Sequence, residues 1–209
     1  MPDVKGVAGF VGYANGGVVN VKTSAIITAT IHNRHGFAAG IVGRTKREVN
    51  ITDVYVKDLT TIQDRVNNEA GSASIVAFID SSAATVNLNR VVIDDHKAYG
   101  HTVAGVIGYI KGGSITMTDV FVSSTLTGTH KVASLIGRYN PVPTELMDAS
   151  DVYGFTNETN NHAESQQLDA ANVVTEADLV DTWWNANYSL DATLWTILET
   201  GIPVLKIAE

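Results

Sequence analysis

The feature that most constrains this chain is an imperfect internal repeat of roughly thirty residues. A short apolar block closed by Gly or Ala recurs as Gly9-Phe-Val-Gly12, Gly40-Ile-Val-Gly43, Ser74-Ile-Val-Ala77, Gly105-Val-Ile-Gly108 and Ser134-Leu-Ile-Gly137, at intervals of about 31, 34, 31 and 29 residues. A second block keeps step with the first: Val21–Ile26, Ile51–Val56, Leu88–Ile93, Met117–Val122 and Ala149–Gly154. Two blocks in a common register are the mark of one structural unit repeated along an axis.

Within the second block the apolar positions alternate. Val120 and Val122 are expected to point inward with Phe121 outward, and Val54 and Val56 inward with Tyr55 outward. Each coil then buries only a few aliphatic side chains, at roughly 1.5–3 kcal/mol apiece, which is too little to offset its own ordering entropy. Five coils sharing one core can offset it. Turns between the blocks are clearest at Asn15-Gly-Gly17 and Lys111-Gly-Gly113, where Gly supplies the positive φ of a tight turn. The expected fold is therefore an all-β, parallel β-solenoid (β-helix) of about five coils, with the right-handed winding that parallel crossovers prefer.

Beyond the fifth coil the pattern breaks. Asn157 to Gln167 is polar and reads as a loop, and Thr175-Glu-Ala-Asp178 has the form of a capping box opening a short helix. Leu179, Val180, Trp183 and Trp184 follow and are expected to pack on the end of the coil stack. The expected organisation is a solenoid over residues 1–155 and a polar loop with a C-terminal cap over 156–209. No comparable cap precedes the first coil, so further coils or another domain are expected upstream, and the uncapped first coil is expected to pair with another molecule, by end-to-end self-association into oligomers or filaments.

The blocks resemble the GLUG repeat of bacterial surface proteins, in which a Gly-Leu/Ile-Val-Gly element precedes a strand with an Asn or Asp turn residue. Ala104-Gly-Val-Ile-Gly108 and Thr118-Asp-Val-Phe121 carry the likeness, which spans residues 6–155, and the third coil departs from it with Ala77 and Arg90. Leu194-Trp-Thr-Ile197 followed by Gly201-Ile-Pro-Val-Leu205 is similar to the segment that closes such arrays. The resemblance implies an extracellular, adhesin-like module that meets glycans, host or neighbouring-cell surface proteins, or its own copies. GLUG-type repeats also resemble segments accompanying secreted IgA-protease-type peptidases, which makes an accessory domain of such a peptidase an alternative.

A formal charge of −8, with no cluster of Lys and Arg, argues against nucleic acid as a partner. No apolar run approaches the roughly 20 residues that span a bilayer. The absence of cysteine excludes disulfides, thiolate metal sites and cysteine nucleophiles. No zinc-peptidase helix, nucleophile elbow or nucleotide-binding glycine motif occurs, so the chain reads as a non-enzyme. Sequons at Asn50, Asn157 and Asn187 are close to what chance supplies.

Three groups of residues remain as candidate sites. Thr23, Asp53, Arg90, Asp119 and Asp151 fall at one position of successive coils and would stack about 4.8 Å apart. That row reads either as a charge-balanced polar ladder at a bend or as acids for calcium binding or polysaccharide lyase or hydrolase chemistry, the enzyme alternative. Tyr55, Val92, Phe121 and Tyr153 form an outward stripe suited to glycans, or to cover by the C-terminal segment or a neighbouring chain. Five histidines, His32, His35, His96, His101 and His130, fall in the turn before the glycine block. His101 and His130 are placed to share zinc or sense pH, or to be plain loop residues. His162 in the polar loop has no evident partner.

Overall fold

The computed structural model describes residues 6–65, 71–140, 147–155 and 164–208; Asn157, His162 and the first half of the polar loop lie outside them. The chain winds as a parallel β-solenoid with five stacked rungs, which amounts to about four turns. Rung one comprises β1 (Gly6–Ala8), β2 (Val11–Ala14) and β3 (Val19–Asn33), and rung two β4 (Phe37–Ala39), β5 (Val42–Thr45) and β6 (Val49–Gln63). From there the strands run on through the corners, as β7 (Ser72–Ala73), β8 (Val76–Ala104), β9 (Ile107–Ala133), β10 (Ile136–Tyr139) and β11 (Met147–Phe155). Val21, Ile51, Leu88, Met117 and Ala149 form one column in parallel register, as the second sequence block requires.

The rungs are not identical. The offset from rung two to rung three is 34 residues at Val42 and Val76 but 37 at Val49 and Val86. Rung four is correspondingly shorter, because the pairing of β8 with β9 slips between Asp80 and Thr85. The extra residues sit at a corner, where a bulge is absorbed without moving the inward side chains.

Inside the coil, Ile51, Val54, Val56, Leu88, Val91, Ile93, Val120 and Val122 belong to one buried aliphatic core. The two middle residues of each glycine block join it in rungs two to four as Ile41 and Val42, Ile75 and Val76, and Val106 and Ile107. The glycines that open the blocks of rungs one and four stand against the backbone of the next rung: a Cβ on Gly9 would lie 2.6 Å from the Gly40 carbonyl oxygen, and one on Gly105 would run into the Ser134 carbonyl oxygen and lie 2.7 Å from Val122 Cγ1. Replacing Gly105 by Ala should overpack this site and lower the urea unfolding midpoint, with a loss of about 1–3 kcal/mol. An unchanged midpoint would show that rung five can shift to admit the methyl group.

Two corners of the coil are made by residues in the left-handed region. Thr23, Asp53, Arg90, Asp119 and Asp151 have φ between 47° and 55°, and Thr28, Asp58 and Asp95 form a second set. Asp tolerates this conformation because its short side chain bonds locally. The polar row of the repeat is thus first a set of corner pieces, turning the chain between one flat face and the next.

The C-terminal part departs from expectation in two ways. The capping box at Thr175 and Asp178 exists, but it closes a single 3-10 turn (Glu176–Asp178); the helix α1 begins later, at Asp181, and ends at Asn187. The aromatic segment does not sit on the coil end. It lies along the side of the solenoid, where Trp184, Tyr188 and Trp195 cover Tyr55, Val92 and Phe121, because an outward column of large apolar side chains buries more area than the narrow coil end. The last two strands, β12 (Trp195–Thr196) and β13 (Val204–Leu205), form an antiparallel pair within this layer.

The coil end is closed by the stretch before it. Gln166 bridges Ile136 in antiparallel fashion, Val173 bridges Gly154, and Leu168 enters the aliphatic core. Glu164 accepts bonds from the buried Lys131 and from Arg138 Nε at 3.2 Å, which hold its carboxyl below its usual range, with Lys131 the larger influence.

Candidate functional site

The corner row comes together as predicted in position, and its chemistry is taken up by internal bonds. Arg90 grips Asp53 with both arms of its guanidinium, Nε to Oδ1 at 2.6 Å and Nη2 to Oδ2 at 3.0 Å. Trp195 Nε1 donates to the same Asp53 Oδ1 at 3.1 Å. Burial pushes the Asp53 carboxyl up, but the bonds from Arg90 and Trp195 outweigh it and hold the group below its usual value. Asp119 accepts the Ser189 backbone N–H at 3.3 Å, and the hydroxyl of Tyr188 donates to the Val120 carbonyl at 3.0 Å. Burial, with Asp151 adding to it, raises the Asp119 carboxyl above its usual value. Asp53 and Asp119 are both buried, so two members of the row serve as anchor points for the C-terminal layer.

The aromatic stripe is covered as well, with Tyr55 and Phe121 buried and Tyr153 half-buried. Tyr55 is 1% exposed and Phe121 0%, and Tyr153 packs edge-on to Trp183 with its hydroxyl bonded to Asn187 Oδ1 at 3.1 Å. The expectation that Tyr55, Phe121 and Tyr153 display a binding face is therefore corrected. The C-terminal segment is their partner, and the reason is area: four aromatic rings of that segment find rings of the solenoid at edge-to-face or tilted distances.

Where this layer meets the solenoid it leaves a cleft of about 710 Å³, within the range of small-ligand sites. Its walls are Tyr55, Lys57, Asp94 and Asp95 from the solenoid, and Glu176, Leu198 and Ile202 from the C-terminal layer. Tyr55 donates its hydroxyl to Asp94 Oδ2 at 3.0 Å, and Lys57 lies 3.7 Å from the same oxygen. Sequence reasoning missed this cleft, because its facing walls come from segments about 80 to 150 residues apart.

His101 and His130 do come face to face, with ring centroids 4.8 Å apart and planes 13° from parallel. Burial, followed by the charges of His130, Lys131 and Arg138, depresses the His101 imidazole, whose Nδ1 lies 3.1 Å from the Thr129 hydroxyl. Among the described residues no third His, Asp or Glu converges on the pair as a metal site would need. His96, expected in a turn, is instead a core residue of β8 with 0% exposure, its Nε2 2.8 Å from the Thr61 hydroxyl and its Nδ1 without a partner.

One column went unnoticed in the sequence although its signal was there. The residue after each glycine block is Tyr13, Arg44, Phe78, Tyr109 and Arg138, aromatic or Arg in every coil. In the fold the Arg44 guanidinium lies 4.9 Å from the Tyr13 ring centre and 5.6 Å from that of Phe78, and Arg138 lies 4.9 Å from Tyr109. Phe37 stacks on Phe78 at 4.2 Å and Phe78 on Tyr109 at 5.0 Å, forming a second, mostly buried cluster outside the main core.

Fold and site together define a class: a parallel β-solenoid, closed at its C-terminal end and armoured on one side by its own aromatic segment. No known family description matches the chain, and no curated protein or solved structure is significantly similar to it. No helix among the described residues is long and apolar enough to cross a membrane.

Proposed function

We propose that the chain is a non-catalytic extracellular surface module that binds glycans or surface proteins, as its GLUG-like repeat implies. The observation that carries this reading is the fate of the corner row: Asp53, Arg90 and Asp119 spend their charges on each other and on holding Trp195 and Ser189. What the solenoid leaves available is flat polar surface, such as the ladder in which Asn87 donates to Asn50 at 2.7 Å and Asn50 to Asn20 at 3.0 Å, together with the cleft beside Tyr55. An accessory domain of a secreted IgA-protease-type peptidase is an alternative that the same repeat resemblance supports.

A second reading, a carbohydrate-active solenoid enzyme, draws on the raised Asp119 carboxyl lying near Arg90. A glycan array and a polysaccharide turnover assay, each with and without calcium and zinc, separate the two. Saturable binding without release of new sugar ends is the expected result. Turnover that disappears in Asp119→Ala would establish the enzyme instead, and metal-dependent binding would reopen the Asp and His rows as ligands.

A further inference from the structure

The turn between β2 and β3 carries the one Asn-Gly pair of the sequence, Asn15-Gly16; every other asparagine is followed by a residue with a side chain. Asn15, Gly16 and Gly17 are all exposed, Gly17 has a φ of 69°, and a Cβ on either glycine would meet nothing within 4 Å. The Gly16 nitrogen therefore has no side chain of its own to shield it, and the turn has open space in which to swing. Asn50 and Asn87, by contrast, are tied into the amide ladder and precede the bulky Ile51 and Leu88.

The Asn15 carboxamide is also held and polarised. Tyr13 donates its hydroxyl to Asn15 Oδ1 at 3.0 Å. The Tyr13 ring lies 4.9 Å from the guanidinium of Arg44, whose Nε donates to Asp80 Oδ2 at 3.1 Å. On the main chain, Arg47 Nε donates to the Asn15 carbonyl oxygen at 3.1 Å. A donor on Oδ1 stabilises the negative charge that builds on that oxygen when a nucleophile adds to Cγ. The unshielded amide nitrogen one residue on is the nucleophile that this turn supplies.

We infer that Asn15-Gly16 is a site of spontaneous deamidation, assisted by the Tyr13 hydroxyl. The Gly16 nitrogen loses its proton to solvent base and bonds to Asn15 Cγ; the bond from Cγ to the side-chain nitrogen breaks, which releases ammonia and leaves a cyclic imide. Water then opens the ring at either carbonyl, giving aspartate or isoaspartate without any oxidant or reductant. The product places a new carboxylate close to Arg44 and Arg47 and makes the formal charge one unit more negative than −8. Isoaspartate lengthens the main chain by one carbon, but in a turn that precedes the paired stretch beginning at Val19, so the register of β3 on β6 is kept. The inference goes beyond the glycan reading and does not depend on it.

The test is incubation of the 209-residue chain in mildly alkaline buffer, followed by ion exchange and peptide mapping by mass spectrometry. A more acidic species is expected, in which residue 15 is the first asparagine converted and yields both aspartyl and isoaspartyl peptides. Gly16→Val crowds the attacking nitrogen and is expected to slow the conversion by about tenfold or more. Tyr13→Phe keeps the ring that Arg44 meets and is expected to slow it about threefold, because one exposed donor is worth less than the roughly hundredfold of an enclosed one. Conversion of other asparagines before residue 15, or a rate unmoved by Gly16→Val, would overturn the site, and a rate unmoved by Tyr13→Phe would overturn the part given to the hydroxyl.

Discussion

Lowering the pH from 7 to 4.5 is expected to cost the folded chain roughly 3 kcal/mol through one residue, His96. Its imidazole is enclosed by the core, and burial depresses it from 6.5 to about 3, against a small opposing pull from Asp95. In the unfolded chain the same ring takes up a proton near 6.5, so acid favours unfolding. The stability is whole above pH 6.5 and falls by about 1.4 kcal/mol per pH unit as the pH drops towards the folded value. Asp53, held below its usual carboxylate value, loses its contribution only at pH values under about 3.8, and His101, depressed in the same window, is common to parent and variant, so the difference between the two proteins isolates His96. Urea unfolding of the parent chain and His96→Gln at both pH values provides the check. The variant is expected to lose clearly less stability on acidification than the parent, and parallel losses would show that His96 is not the main acid-labile group.

Trp195→Ala is expected to release the C-terminal layer while the solenoid stays folded. Trp195 is 2% exposed, meets Tyr55 edge-on at 6.4 Å, and donates to Asp53. Truncating a buried Trp costs about 3–5 kcal/mol, and here it also takes a bond from a buried carboxylate. The layer holds to the solenoid mainly through one aromatic cluster, so a loss of that size falls on the layer first. Hydrogen exchange should accelerate over residues 176–205 and an apolar dye should bind the uncovered Tyr55, Val92 and Phe121, with protection in β6, β8 and β9 retained. Simultaneous loss of protection in both parts would mean that solenoid and layer fold as one unit.

Much of this fold can be read from sequence for a plain reason. A solenoid repeats its local rules every turn, so Val54, Val91 and Val120 report the same inward position three times, and Asp53, Arg90 and Asp119 the same corner. Period-two alternation then separates the aliphatic core from the outward column without any knowledge of long-range contacts. The column headed by Tyr13 and Arg44 was equally periodic and equally legible.

Whatever occurs once in the chain was decided by tertiary structure. Nothing local in Leu179 to Leu205 says whether its aromatic rings cover the coil end or its flank, since either would bury apolar area; the larger outward column around Phe121 settled it. The same choice turned Tyr55 and Phe121 from display residues into core, made Asp53 an anchor for a tryptophan 142 positions away, and opened the cleft beside Asp94. His96 shows the limit most clearly. Its spacing matched the turn histidines, but the register of β8 on β6 sets it level with the core residue Leu59, where burial, not sequence position, sets its charge.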